Sequence, residues 1–152
     1  FIAFIAFIAC VALREFMKIL KFEDIKAWQE ARQLVKLVYM AIATSKEFAK
    51  DFRLANQIQA SAVSTMANIA EGFSRQSRKE FIQFLFIAKG SAAEIQSHIY
   101  VALDQSYIGQ ETFDKIYDTA DKVSRMLSNF IKYLKSPTSP QRDERDPRDS
   151  RD

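Results

Sequence analysis

The sequence predicts an all-α fold, an antiparallel up-down-up-down four-helix bundle. Three observations predict it. Gly and Pro number only three each in 152 residues, and Pro137, Pro140 and Pro147 all fall late, so little interrupts long helices. Four stretches repeat apolar residues at helical spacing. The connections between them are short, which makes successive helices antiparallel neighbours.

The first predicted helix runs from about residue 24 to 44. Ile25, Trp28, Val35, Val38 or Tyr39, and Ile42 recur on one face, and Glu23 and Asp24 suit its positive N-terminal end. Residues 45–51 read as a connection with room for a turn of its own. The second helix is expected over about 51–71, with Leu54, Ile58, Ala62, Thr65 or Met66, and Ile69 inward. Gly72 reads as its stop, because glycine enters the left-handed conformation without a Cβ clash. Ser77 and Glu80 then form Ser-x-x-Glu, the pattern in which each side chain caps the other's free backbone N–H. The stretch from Asn68 to Glu80 is thus a helix stop, a short basic loop and a helix start.

The third helix is expected from Arg78 to about Tyr107, with a seam of Phe81, Leu85, Ala88, Ala92, Ile95, Ile99 and Leu103, and Gly109 as its end. The fourth starts near Gln110 and turns Phe113, Ile116 or Tyr117, Ala120, Val123, Leu127, Phe130 or Ile131, and Leu134 inward. The near-heptad spacing predicts shallow left-handed packing at about 20°. Antiparallel counting about the hinge sets Asn68 beside Phe81 and collects Trp28, Ile69, Phe81, Leu85 and Leu134 in one layer. Gly90, in the middle of the third helix, predicts a tight crossing against Ala60, Ser61 and Ala62, since an interior glycine costs about 1 kcal/mol. The alternative reading makes Lys89 and Ser91 ligand contacts.

Ile82, Phe86, Ile87 and Ala93 on the third helix, and Leu34, Leu37 and Ala41 on the first, exceed what one seam needs. Apolar surface beyond one face implies a second interface, here self-association, or a broad intramolecular stripe.

The ends are expected to lie outside the fold. Residues 1–16 open with Phe-Ile-Ala three times; the apolar run of 1–13 is shorter than the roughly 20 residues of a membrane span. It reads as translated upstream sequence, with Met17 the natural first residue, or else as a hydrophobic anchor. Residues 17–135 are the bundle domain. Residues 136–152, an Arg-Asp repeat without apolar residues, are expected to be disordered.

Charge and chemistry exclude more than they specify. From Met17 to Lys135 there are 17 Lys and Arg against 13 Asp and Glu, a balance that permits contact with polyanions. Arg75, Arg78 and Lys79 cluster at the hinge, either as a phosphate-binding group, repeated as a ring in an oligomer, or as a solvated loop partly neutralised by Glu71 and Glu80. His98 is the single histidine and Cys10 the single cysteine, so neither a zinc cluster nor a di-iron Glu-x-x-His pair can be assembled. With no glycine-rich phosphate loop and no convergent carboxylates, an enzyme is not expected, nor is a metal or cofactor.

Four blocks of residues carry a resemblance. Phe22 to Ala31, Asn68-Ile69-Ala70-Glu71-Gly72, Glu80-Phe81 with Phe84-Leu85, and Ala88 to Glu94 are similar to the four-helix bundle proteins encoded in intervening sequences of 23S ribosomal RNA genes. The likeness covers about residues 18–135. That family is in turn similar to the accessory variability proteins of diversity-generating retroelements, pentameric barrels with a basic surface. The resemblance implies a bacterial, cytoplasmic, non-enzymatic homo-oligomer, a pentamer, with a nucleic-acid role toward RNA or DNA. By the same analogy it implies a protein partner such as a reverse transcriptase, and no membrane. Candidate nucleic-acid contacts are Arg75, Arg78, Lys79 and Lys89. The hinge and packing set is Trp28, Asn68, Glu71, Gly72, Ser77, Glu80, Phe81, Gly90, Ser91 and Glu94. Two departures stand out. Met66 replaces the family's usual proline, which predicts a straighter second helix. Gln59 and Ala60 lie where the family often has arginine, which weakens the nucleic-acid reading against its alternative, a scaffold for a protein partner.

Overall fold

The computed structural model describes residues 19–137, so the readings made for residues 1–18 and for the tail beyond Pro137 fall outside it. Among the described residues the chain is all-helical. A 3₁₀ turn at Phe22–Asp24 leads into α1 (Lys26–Thr44), a short α2 (Lys46–Lys50), α3 (Phe52–Ser74), α4 (Arg78–Asp104) and α5 (Gln110–Lys135). Three of the five described helices, α2, α3 and α4, begin at a residue whose side chain caps a free N–H group. Ser45 Oγ accepts from the Phe48 N–H at 3.2 Å, Asp51 Oδ1 from Leu54 at 3.1 Å and Ser77 Oγ from Glu80 at 3.3 Å. The Ser77 half of the expected reciprocal cap therefore forms.

The four long helices stand at the corners of a square. α1 packs on α3 and α5, and so does α4, which leaves α1 and α4 on opposite corners. The buried stripes of α3, α4 and α5 follow the predicted periodicity: Leu54, Ile58, Ala62, Thr65 and Ile69; Phe81, Leu85, Ala88, Ala92, Ile95 and Ile99; Phe113 through Leu134. Two core clusters result. One fills the hinge end around Ile69, Phe81, Leu85, Leu127 and Leu134, and the other the far end around Phe48, Ile58, Ile95 and Ile116.

Helix α1 keeps Ile25, Val38 and Ile42 inward as predicted, but its buried face is turned partway from the predicted one: Ala27, Ala31, Leu34 and Ala41 complete it, whereas Tyr39 is exposed and Val35 only half-buried. Two alanines set this face, because their small side chains let α1 lie close to its neighbours. Trp28 is displaced with it. Instead of lying within the hinge layer, its ring packs at the rim, edge-on to Phe22 at 5.1 Å and beneath the Arg32 guanidinium at 6.0 Å. Leu34 and Ala41 are core rather than surplus.

All three glycines differ from expectation. Helix α3 does not stop at Gly72 but runs unbroken to Ser74, with Gly72 buried and helical. Its role is close approach: a Cβ there would lie 2.7 Å from Phe84 Cβ and 2.8 Å from Phe81 Cδ2. Because the turn comes later, at 75–77, the hairpin register moves by about one helical turn. Phe81 and Phe84 face Gly72, not Asn68 and Thr65. Gly90, expected at the tight crossing, is exposed, and among the described residues no neighbour beyond its own stretch of helix lies within 4 Å of an added Cβ. Helix α4 ends at Asp104 rather than at Gly109. Ser106 supplies the left-handed residue, with φ 58°, and the N–H groups of Ser106 and Tyr107 close on the carbonyls of Leu103 and Ala102. Gly109 precedes α5 with an ordinary negative φ.

At the far end Tyr107 stacks on Phe48, and its hydroxyl donates to Asp51 Oδ2 at 3.3 Å. Burial, then the Asp51 carboxylate, pushes the Tyr107 phenol above its ordinary pKa. Asp51 thus caps α3 and fastens the α4–α5 connection to it.

Candidate functional site

Two arrangements gather the residues singled out in the sequence. The first is a polar seam along the α3–α4 crossing. Asn68 Nδ2 donates to the Ser64 carbonyl at 2.8 Å and lies 3.0 Å from Ser64 Oγ, which is itself 3.0 Å from Ser91 Oγ. One turn further on, Ser61 Oγ donates to Glu94 Oε2 at 2.8 Å, and Thr65 Oγ1 donates to the Ser61 carbonyl at 2.8 Å. Ser64–Ser91 and Ser61–Glu94 therefore tie the two helices together, and Asn68 fixes Ser64 from within α3. Ser91 is buried and committed to this seam. Ser61 was read only as a small residue at the crossing and Ser64 was not singled out; their signal was the spacing of small polar residues with Asn68 down one edge of α3.

The second arrangement is the hinge end. The C-terminus of α3, the loop 75–77, the N-termini of α1 and α4 and the C-terminus of α5 all meet there. Arg75 Nη2 pairs with Glu71 Oε1 at 2.6 Å, and its guanidinium lies 5.1 Å above the Phe84 ring. Arg78 is half-buried near Tyr133, whose phenol is pushed up by burial and pulled part of the way back by the Arg78 charge. Lys79 is exposed. Lys132 and Lys135 close the last turn of α5, with Lys135 Nζ 5.0 Å over the Phe86 ring. Lys21, just before the 3₁₀ turn, and Lys26, the first residue of α1, belong to the same end of the bundle. Sequence reasoning missed these last four, which lie far from Arg75 in the chain. Lys89 does not join them. It sits eleven residues beyond Arg78 on the same helix, about 16 Å along its axis.

The carboxylates at this end are partly engaged. Glu71 holds Arg75, and Asp24 Oδ2 accepts the N–H groups of Leu20 and Lys21 at 3.1 and 3.2 Å. Helix dipoles sharpen the balance. Lys26 opens α1, and Arg78 and Lys79 open α4, where the partial positive charge of the helix N-terminus repels cations. Those cations are placed against local helix stability.

Among the described residues, no group of three His, Cys, Asp or Glu side chains could hold a metal ion. No described helix is long and apolar enough to cross a membrane.

Residues 23–129 match the model of a family described as 23S rRNA-intervening sequence protein. The chain is also similar to a crystal structure from Bacteroides thetaiotaomicron VPI-5482, a protein of unknown function from the S23 ribosomal protein family. The two are 28% identical with a TM-score of 0.64, over 70% of this chain and 95% of that one. None of the curated proteins matches the chain significantly.

Proposed function

This chain belongs to the 23S rRNA-intervening sequence protein family, and we propose that it is a non-enzymatic, homo-oligomeric nucleic-acid-binding accessory protein of the bacterial cytoplasm that seats phosphates on its hinge end. The observation that carries the reading is the placement of Lys26, Arg78 and Lys79 at two helix N-termini. Cations there work against the helix dipoles, whereas a bound phosphate would be attracted by cations and dipoles together. Lys132 and Lys135 on α5 widen the basic surface. Backbone phosphates, rather than base edges, fit such a group of long flexible cations, so the expected binding is sequence-tolerant and salt-sensitive. The self-association belongs to the same reading and rests on the apolar side chains left exposed on α1 and α4. A closed ring of five chains, taken from the likeness to the accessory variability proteins, would present the basic ends as a repeated array.

Gel shifts with 23S ribosomal RNA fragments across a salt series test the proposal. Arg78→Ala with Lys79→Ala should leave the helical circular dichroism intact. It should flatten the slope of log affinity against log salt by about 1–2 units. Affinity that is unchanged in the variant, or that ignores salt in the parent, removes the hinge end as a phosphate site. The chain would then stand as a scaffold for a protein partner.

A further inference from the structure

The outer faces of α1 and α4 differ in a way that the bundle does not use. Tyr39 and Met40 on α1, and Phe86, Ile87, Tyr100 and Val101 on α4, are each 43–60% exposed. Between the two aromatic–aliphatic pairs of α4 lies a shallow stretch, Gly90 to Ala93, where Gly90 has open space on its outer side. An interior helix glycine is unfavourable, and none of the described residues comes close enough to require it. The two faces also carry opposite charge. Exposed α1 residues include Lys26, Arg32 and Lys36 and no carboxylate, Glu30 being turned toward Lys122 of α5 at 2.8 Å. Beyond its first turn, the α4 face carries the exposed carboxylates Glu94 and Asp104 against one half-buried cation, Lys89, while Lys135 of α5 lies over Phe86 near the hinge end.

We infer that α1 of one copy docks on α4 of the next, with Tyr39 and Met40 entering the stretch at Gly90–Ala93. The inference rests on the self-association proposed above and names the surfaces that form it. Levels along the bundle agree. Helices α1 and α4 both start at the hinge end and run parallel, and Tyr39–Met40 and Gly90–Ala93 each lie about 20 Å from their helix starts. Since α1 and α4 occupy opposite corners, the contact is head-to-tail, and repeated copies close into a ring or extend as a filament. Keeping the levels matched puts every basic hinge end on the same rim.

Sedimentation of the full chain at micromolar concentration and low salt tests this. Gly90→Gln places a side chain where the monomer has room, so helical content should be kept while half-assembly moves to about ten-fold higher concentration or more. Arg32→Glu with Lys36→Glu should likewise disassemble the chain, and so should Ser97→Lys with Asp104→Lys. Mixing those two double variants should restore assembly in alternating, even-numbered or open forms, because the acidic α1 of one then meets the basic α4 of the other. A monomeric parent chain would overturn self-association itself. An assembled parent whose Gly90→Gln form assembles equally well, or double variants that fold but stay apart when mixed, would overturn this interface alone. Neither result bears on RNA binding.

Discussion

Phe81→Ala should destabilise the protein by about 3–5 kcal/mol, the range for deleting a buried aromatic side chain. Phe81 is only 5% exposed and sits where three elements converge. Its ring meets Phe130 of α5 edge-on at 5.3 Å and Phe73 of α3 at 6.2 Å, and it lies against Gly72. Against a total stability of about 5–15 kcal/mol, that loss removes a large share of what holds the chain folded. Urea unfolding followed by circular dichroism reads it directly. Trp28→Ala is the comparison. Its ring is larger, but it lies at the rim of the same cluster, so its truncation should cost less than that of Phe81. The reverse order would mean that the layer is organised around Trp28 after all.

Gly72→Ala should also destabilise, although alanine is the better helix former by about 1 kcal/mol. The added Cβ would stand 2.7 Å from Phe84 Cβ and 2.8 Å from the edge of the Phe81 ring. The ring edge can give a little. Phe84 Cβ is fixed to the α4 backbone, so relieving that contact means moving α4 away from α3. Overpacking of this kind costs about 1–3 kcal/mol, enough to offset the propensity gain, and Gly72→Val should cost more. Thermal melts of Gly72→Ala and Gly90→Ala give the sharpest contrast. The second site has open space within the chain, so at dilutions where copies are separate it carries only the favourable propensity term, and the two changes should act with opposite signs. A stabilising Gly72→Ala would show that the hairpin tolerates a wider spacing.

These two sites also mark where sequence reading succeeds and fails. The buried faces of α3, α4 and α5 were legible because large apolar residues recur there at helical spacing, and periodicity reports a face directly. On α1 the face is set by Ala27 and Ala31, whose smallness decides the packing but gives little hydrophobic signal, so the larger Trp28 and Tyr39 pulled the reading around the helix. Gly72 was ambiguous because glycine serves equally as a helix stop and as a point of close approach; only the position of Phe84 on the next helix decides between them. Ser106 shows the converse, a left-handed cap made without glycine. Of the basic end, Arg75, Arg78 and Lys79 were visible as a local cluster. Lys26, Lys132 and Lys135 reach it only because antiparallel topology brings helix ends together across the length of the chain.

That topology also orders events in time. The link between α3 and α4 is the loop 75–77, so their shared surface, with its Asn68–Ser64–Ser91 seam, closes over a short stretch of chain. The opposite side of the square is closed by α1 and α5, whose Glu30–Lys122 pair spans 92 residues. Loop-closure entropy favours the near pair as the first native unit, with α1 and α5 arriving on it afterwards. Hydrogen exchange under native conditions should therefore find the slowest amides in α3 and α4, and the earliest opening where α1 meets α5. By that order, α1 and α5 are the helices most free to respond to whatever binds beside them.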